Sequence, residues 1–188
     1  MPVISNSPSS RTYISQRLRL HYLDWGNPEA PPLLLLHGGR DHCRNWDWIA
    51  QELCSKWHII APDLRGHGDS AHSPDGHYTM AAFVYDLAQL IHQQGLAPLS
   101  IVAHSLGGNI ALRYTGLYPE HVRRLVAIEG LGDAPNIISE RRKFPLFEQM
   151  QNWITEQRAM SSRQPRRYAT LEEALQRMMQ ENSHLSAE

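Results

Sequence analysis

The chain has only two cysteines in 188 residues, Cys43 and Cys54. Apolar spacing predicts a helix between them that holds them too far apart to bridge, so a disulfide-stapled scaffold is excluded and reduced thiols are expected. Charge of one sign is equally scarce: 18 basic residues face 19 acidic ones, a formal net charge of -1. That balance gives no electrostatic reason to expect nucleic acid or an anionic membrane as partner. No apolar run approaches bilayer-spanning length, and the N-terminal "MPVISNSPSSRTYISQ" lacks the apolar core of a signal peptide. A soluble, unexported, cytoplasmic protein with a small or neutral partner is expected. Internal repeats, a phosphate loop and redox or cofactor motifs are missing too, so neither cofactor nor metal is expected.

What is there is an alternation of short apolar runs with amphipathic stretches. Residues 1–16 read as a polar leader. "RLRLHYLDWG" alternates from Leu18 to Trp25, the pattern of a half-buried strand. The runs "LLLLH" (33–37), "WHIIAPD" (57–63), "LSIVAHS" (99–105) and "VRRLVAIEG" (122–130) read as further strands. Between them, Trp46, Ile49, Ala50 and Leu53 recur at helical spacing, with Asn45 or Asp41 available as cap. Thr79 precedes a stripe of Met80, Phe83, Val84, Leu87, Leu90 and Ile91 closed by Gly95, and a third helix runs from Leu106 to about Tyr118, stopped by Pro119. This predicts an α/β protein, a mostly parallel sheet with flanking helices over residues 17–130. From Leu131 to Glu188 the character turns helical and polar. Leu146, Phe147, Met150, Trp153 and Ile154 form one stripe, and Thr170 with Glu173 makes a capping box before another.

Ser105 stands where the strand 99–105 must turn sharply into a helix, with Ala103 and Gly107 two residues to either side. Such a turn forces strained backbone and admits only small neighbours, lifting the hydroxyl clear of the sheet. The helix N-terminus brings unpaired N–H groups to the same spot, suited to an oxyanion.

With these residues in view, the sequence resembles the α/β-hydrolases. "AHSLGG" resembles their nucleophile elbow GxSxG, with Ala103 for the first glycine; "LLLLHGG" resembles the oxyanion loop, and "PDLRGHGDS" the turn after the next strand. The resemblance covers about residues 17–130, and 131–188 resembles the start of the helical lid many members insert. It implies Ser105 as nucleophile, the backbone N–H groups of Gly39 and Leu106 as oxyanion hole, and His37, Gly38, Ala103, Gly107 and Gly108 as structural parts of the motifs. Each oxyanion donor would be worth ~3 kcal/mol in the transition state. A serine there argues against the aspartate-dependent dehalogenases and epoxide hydrolases. Ester, lactone, amide or C–C cleavage through an acyl-enzyme is implied.

In that family the acid and then the histidine follow the serine. Glu129, after the last strand, is placed as some members place the acid; others use an aspartate after a seventh strand, and a solvent-facing carboxylate at the lid hinge fits Glu129 equally. Asp133 is a weaker candidate. Only His121 and His184 follow Ser105. His121 precedes the last strand, and His184 lies in the final residues. The resemblance thus implies a chain ending within the lid, before the histidine, and a sheet whose open edge invites self-association. A non-catalytic binding protein, or one borrowing a histidine from another chain, are the alternatives. His67, His72 and His77, interleaved with Asp63, Asp69 and Asp75, read as a solvated loop rather than a metal site. His104 should point away from the serine. Trp46, Trp48 and Trp153 read as core or pocket wall.

Overall fold

Strand structure begins earlier than the sequence pattern predicts. A computed structural model describes residues 7–132, 136, 139, 143–161 and 167–182. Within it Ser9–Ser15, part of the expected leader, forms strand β1 and pairs antiparallel with β2, Leu18–Asp24. Thr12, Tyr13 and Ile14 favour extended backbone, and Tyr13 and Ser15 face inward while residues 9–12 stay exposed. Polar outward positions are what an edge strand needs, which is why the segment looks like a leader. Gln16 and Arg17 close the hairpin, both with positive φ (47° and 68°). A two-residue turn of that form normally announces itself as Asn-Gly or Gly-rich, and here it does not.

The remaining strands are β3 (Pro32–Leu36), β4 (His58–Pro62), β5 (Leu99–His104) and β6 (Val122–Ile128). The helices of this unit are α1 (Asp47–Leu53), α2 (Met80–Gln93) and α3 (Leu106–Leu117), with 3-10 turns at Cys43–Trp46 and Pro119–His121. The sheet runs β1-β2-β4-β3-β5-β6, with β1–β2 and β2–β4 antiparallel and all other pairs parallel. From β3 the chain crosses to β4 on one side, then returns to β5 on the other. Strand order therefore reverses at β3, and loops leaving the C-terminal ends of β3 and β5 diverge around a crevice, where open α/β sheets bind ligands.

Both sheet faces are covered over β3, which explains its unbroken apolar run. Leu34, Leu36, Ile101 and Ala103 pack with Leu87, Leu90, Ile91, Ile110 and Tyr114 of α2 and α3. On the other face Leu33, Leu35, Ile59 and Ala61 pack with Trp25, Trp46, Ala50 and both cysteines, which are free. β2 is buried continuously from Leu20 to Leu23, not on alternate residues as expected. The expected caps of α1 are also corrected: its N-cap is Trp46 with no side-chain bond, while Asn45 and Asp41 hydrogen-bond to each other. Trp48 is exposed rather than core, because α1 turns its Trp46 and Ala50 side inward. At the head of α2, Thr79 Oγ1 accepts from the Ala82 N–H at 3.2 Å. Thr79→Ala is expected to lower the urea midpoint by about 1 kcal/mol of stability, while a Thr79→Ser variant stays within a few tenths of wild type.

The chain divides after Gly132. In the second unit, α4 (Leu146–Ser161) and α5 (Leu171–Glu181) occupy the predicted amphipathic segments. Thr170 Oγ1 accepts from the Glu173 N–H, and the Glu173 carboxylate accepts from the Ala169 N–H, so the capping box closes one residue further out than its usual form. Trp153, read as core or pocket wall, is more than half exposed on α4. Asp133 and His184 lie outside the described residues.

Candidate active site

Ser105 is the N-cap of α3 and sits at φ 48°, ψ -113°. No serine adopts this without cost, about 1–3 kcal/mol, so the neighbouring structure must hold it. It does so through backbone: the Ser105 N–H donates to the Ile128 carbonyl at 2.8 Å, and the Ser105 carbonyl accepts from Asn109 N–H and Nδ2. The hydroxyl is half-buried and has no hydrogen-bond partner among the described residues.

Four glycines make the close approach possible. A Cβ on Gly107 would lie 2.5 Å from the His37 carbonyl oxygen and 2.6 Å from that of Leu36, so the first turn of α3 rests on the exit of β3. A Cβ on Gly38 would meet the His104 ring at 2.9 Å and Ser105 Cβ at 3.3 Å. Gly108 and Gly130 pack backbone to backbone, which fixes the residue between Ile128 and Gly130 beside the elbow. That residue is Glu129, itself at φ 54°. Its carboxylate is largely exposed, 3.8 Å from His104 Nε2.

The structure thus brings together Ser105, Leu106, Gly38 and Gly39 at the ends of β3 and β5, with Glu129 at the end of β6. The N–H groups of Gly39 and Leu106 have no backbone partner among the described residues. His104 stacks toward Gly38 and Glu129, and makes no hydrogen bond to the serine hydroxyl. His121 sits before β6, at the opposite end of the sheet from Ser105, and bonds to Tyr114.

The loop after β3 is held by groups that sequence spacing does not reveal. His37 is fully buried; its Nε2 accepts from the Leu64 N–H at 3.0 Å, so Nδ1 carries the proton and donates to the Gly38 carbonyl at 2.7 Å. Burial, foremost, holds the His37 imidazole below its usual pKa. The folded state therefore binds fewer protons here than the unfolded state, and its stability is lost as pH falls below about 6.5. A lower urea midpoint is expected at about pH 5.5 than at about pH 7.5, with part of that difference removed in His37→Gln.

Asp63 corrects the expectation of a solvated loop. His72, His77, Asp69 and Asp75 are exposed as expected, but Asp63 is 2% accessible. Its carboxylate accepts from the Cys43 N–H (2.8 Å), the Asp69 N–H (3.0 Å) and His21 Nδ1 (2.7 Å). Burial alone would raise its pKa, but these donors outweigh it and hold the carboxyl below the usual range. The same burial, with the Asp63 charge, pushes the Cys43 thiol up. Potential ligand atoms of His21, Cys43 and Asp63 lie within 4.8 Å of one another. The imidazole and both carboxylate oxygens are already engaged in hydrogen bonds, so their donor set reads as a structural network. Arg65, which sequence reasoning missed, is also buried and forms a two-point bond to Asp86 at 2.6 and 2.7 Å.

Known proteins resemble this chain in sequence and in fold. A family model described as alpha/beta hydrolase fold matches residues 31–176. The Serine hydrolase-like protein of Danio rerio is 31% identical over 166 residues, 86% of this chain and 49% of that protein. Epoxide hydrolase 4 of Mus musculus is 31% identical over 133 residues, 68% of this chain and 37% of that protein. Among solved structures, a hypothetical protein from Pseudomonas aeruginosa PAO1 superposes with a TM-score of 0.78 at 26% identity, covering 94% of this chain and 61% of that one. The chain spans about half the length of the first of these curated relatives and less of the second. With a match across most of its length, and a sheet that reverses order where Ser105 emerges, the chain belongs to the α/β-hydrolase family.

Proposed function

We propose that this chain carries the nucleophile half of a serine hydrolase that cleaves a small, largely neutral ester, lactone, amide or C–C bond through an acyl-enzyme. Ser105 Oγ attacks the carbonyl carbon, its proton passing to a base and then to the leaving group; water afterwards releases the acyl group. The N–H groups of Gly39 and Leu106 receive the developing oxyanion. Glu129 is assigned as the acid that orients the base. The observation that carries this reading is the strained, half-buried Ser105 at the head of α3, with its hydroxyl unpartnered among the described residues.

No described histidine bonds that hydroxyl, which favours two variations: a base supplied from outside the described residues, where His184 falls, or a non-catalytic protein that keeps the elbow for binding. Mass-spectrometric mapping of a fluorophosphonate adduct separates them. An adduct on Ser105 supports the hydrolase; a folded protein that forms none leaves only the binder. The helical segment after Gly132 is assigned to the lid, on the strength of its amphipathic helices and its place after β6. Free Cys43 and Cys54 suit a reducing compartment such as the cytoplasm, and no described helix is long and apolar enough to cross a membrane. The free edge of β6, with Val126 and Ile128 about half exposed, is assigned to self-association.

A further inference from the structure

We infer that Asp63, steered by His21, is a positioning residue for the oxyanion loop. The loop runs from His37 at the end of β3 to Cys43, and it carries Gly38 and Gly39 past the elbow. Both ends are tied to the same short stretch after β4. At the entry, His37 Nε2 accepts from the Leu64 N–H; at the exit, Asp63 Oδ1 accepts from the Cys43 N–H.

Neither tie is local, since 27 residues separate the first pair and 20 the second. Asp63 is itself fixed from other directions. Its own N–H donates to the His21 carbonyl, its carbonyl accepts from Ser70 Oγ, and Ser70 Oγ accepts the His21 N–H. The carboxylate rotamer is set by Oδ2, which takes His21 Nδ1 and the Asp69 N–H and leaves Oδ1 aimed at Cys43. Gly68 keeps that rotamer open: at φ 49°, a Cβ there would collide with all three carboxylate atoms. His21 is held in turn by Ser10 Oγ, 2.9 Å from Nε2, so the edge strand β1 reaches the loop through two side chains.

Between the ties, Gly39 and Arg40 are exposed, and Arg40 has positive φ, 61°. Among the described residues the bonds within the loop are local, Asp41 accepting from the His42 N–H and from Asn45, so the loop keeps its N–H direction only if the two long-range ties at its ends are rigid. The loss of one tie should let Gly39 drift, and a 1 Å displacement of a group that acts on the reacting atoms can cost about 100-fold. That consequence for rate rests on the hydrolase reading above; the tethering does not.

The test compares the full chain with Asp63→Asn, His21→Leu and His21→Asn, using a fluorophosphonate probe and hydrogen exchange together. Asn at 21 places an N–H near the position of Nδ1, and Leu does not. Expected are a 10- to 100-fold slower bond-forming step in Asp63→Asn and His21→Leu with probe affinity unchanged, and a rate within about threefold of wild type in His21→Asn. Amides 38–43 should exchange faster in the two slow variants while β3 and β5 keep wild-type protection. Leu90→Ala, a cavity on the buried face of α2, serves as a control of reduced stability and should not slow the probe. Wild-type rates in folded His21→Leu, or an equal slowing in Leu90→Ala, overturn the inference. If wild type itself forms no adduct, the hydrolase reading falls, and exchange alone decides: unchanged protection of 38–43 in His21→Leu overturns the tethering. Should Asp63→Asn fail to fold, the two His21 variants decide by the same criteria.

Discussion

Ser105→Ala is expected to abolish capture by a fluorophosphonate probe, a fall of at least about 1000-fold in rate, with almost no change in the urea midpoint. The two halves of that result have separate causes. On the proposed reading, reactivity falls because the only heavy atom removed is the oxygen assigned to attack. Stability holds because the hydroxyl has no hydrogen-bond partner to lose among the described residues, and alanine at φ 48° is as strained as serine. Ser105→Gly sharpens the test. Glycine occupies that backbone region freely, so the variant should be as unreactive as alanine yet about 1 kcal/mol more stable than wild type. A Ser105→Gly protein no more stable than wild type would mean that the elbow stores no strain, and that the geometry at residue 105 serves packing alone.

Much of the sheet was legible because its strands are buried on both faces. Leu33–Leu36 and Ile59–Ala61 have no polar interruption, since each side chain meets either the α2–α3 layer or the Trp46–Ala50 layer. What was missed depends on partners rather than local pattern. Ser9–Ser15 becomes a strand because β2 is there to pair with it, and its Gln16–Arg17 turn carries none of the usual glycine signal. The same holds for α1, whose start is set by the 3-10 turn of Cys43–Trp46 and not by a side-chain cap.

At the site, Ser105 and its small neighbours were legible because an elbow constrains consecutive residues: sterics forbid a large side chain at 103 or 107 whatever the rest of the fold does. Asp63 was not. Its partners stand at 21, 43 and 69, and the evenly spaced histidines and aspartates that follow it imitate a solvated loop. A buried carboxylate is identified by the donors around it, and donors brought together by topology leave no periodic trace in the chain. Glu129 is intermediate. Its place after β6 was readable, but its left-handed backbone, beside the close contact of Gly108 with Gly130, was not, because those two residues stand far apart in the sequence.

The same close contacts predict a large and sharply local loss of stability. Gly107→Ala adds one methyl group where two carbonyl oxygens stand 2.5 and 2.6 Å away. Neither can retreat: Leu36 is held in the parallel β3–β5 ladder opposite Ala103, and the His37 ring beyond it is locked to Leu64 and Gly38. The helix could tilt away only by breaking the Gly108–Gly130 contact and the bond from Ser105 to Ile128. A loss of at least about 4 kcal/mol is expected by urea titration, with the elbow's reactivity lost even in whatever fraction stays folded. Gly116→Ala, nine residues on in α3, meets nothing within 4 Å and should instead stabilise the protein by about 1 kcal/mol through helix propensity. Opposite signs from one chemical change in one helix follow only if α3 is pressed against β3 at Gly107 and open at Gly116. Equal effects from the two would place the origin of the elbow elsewhere.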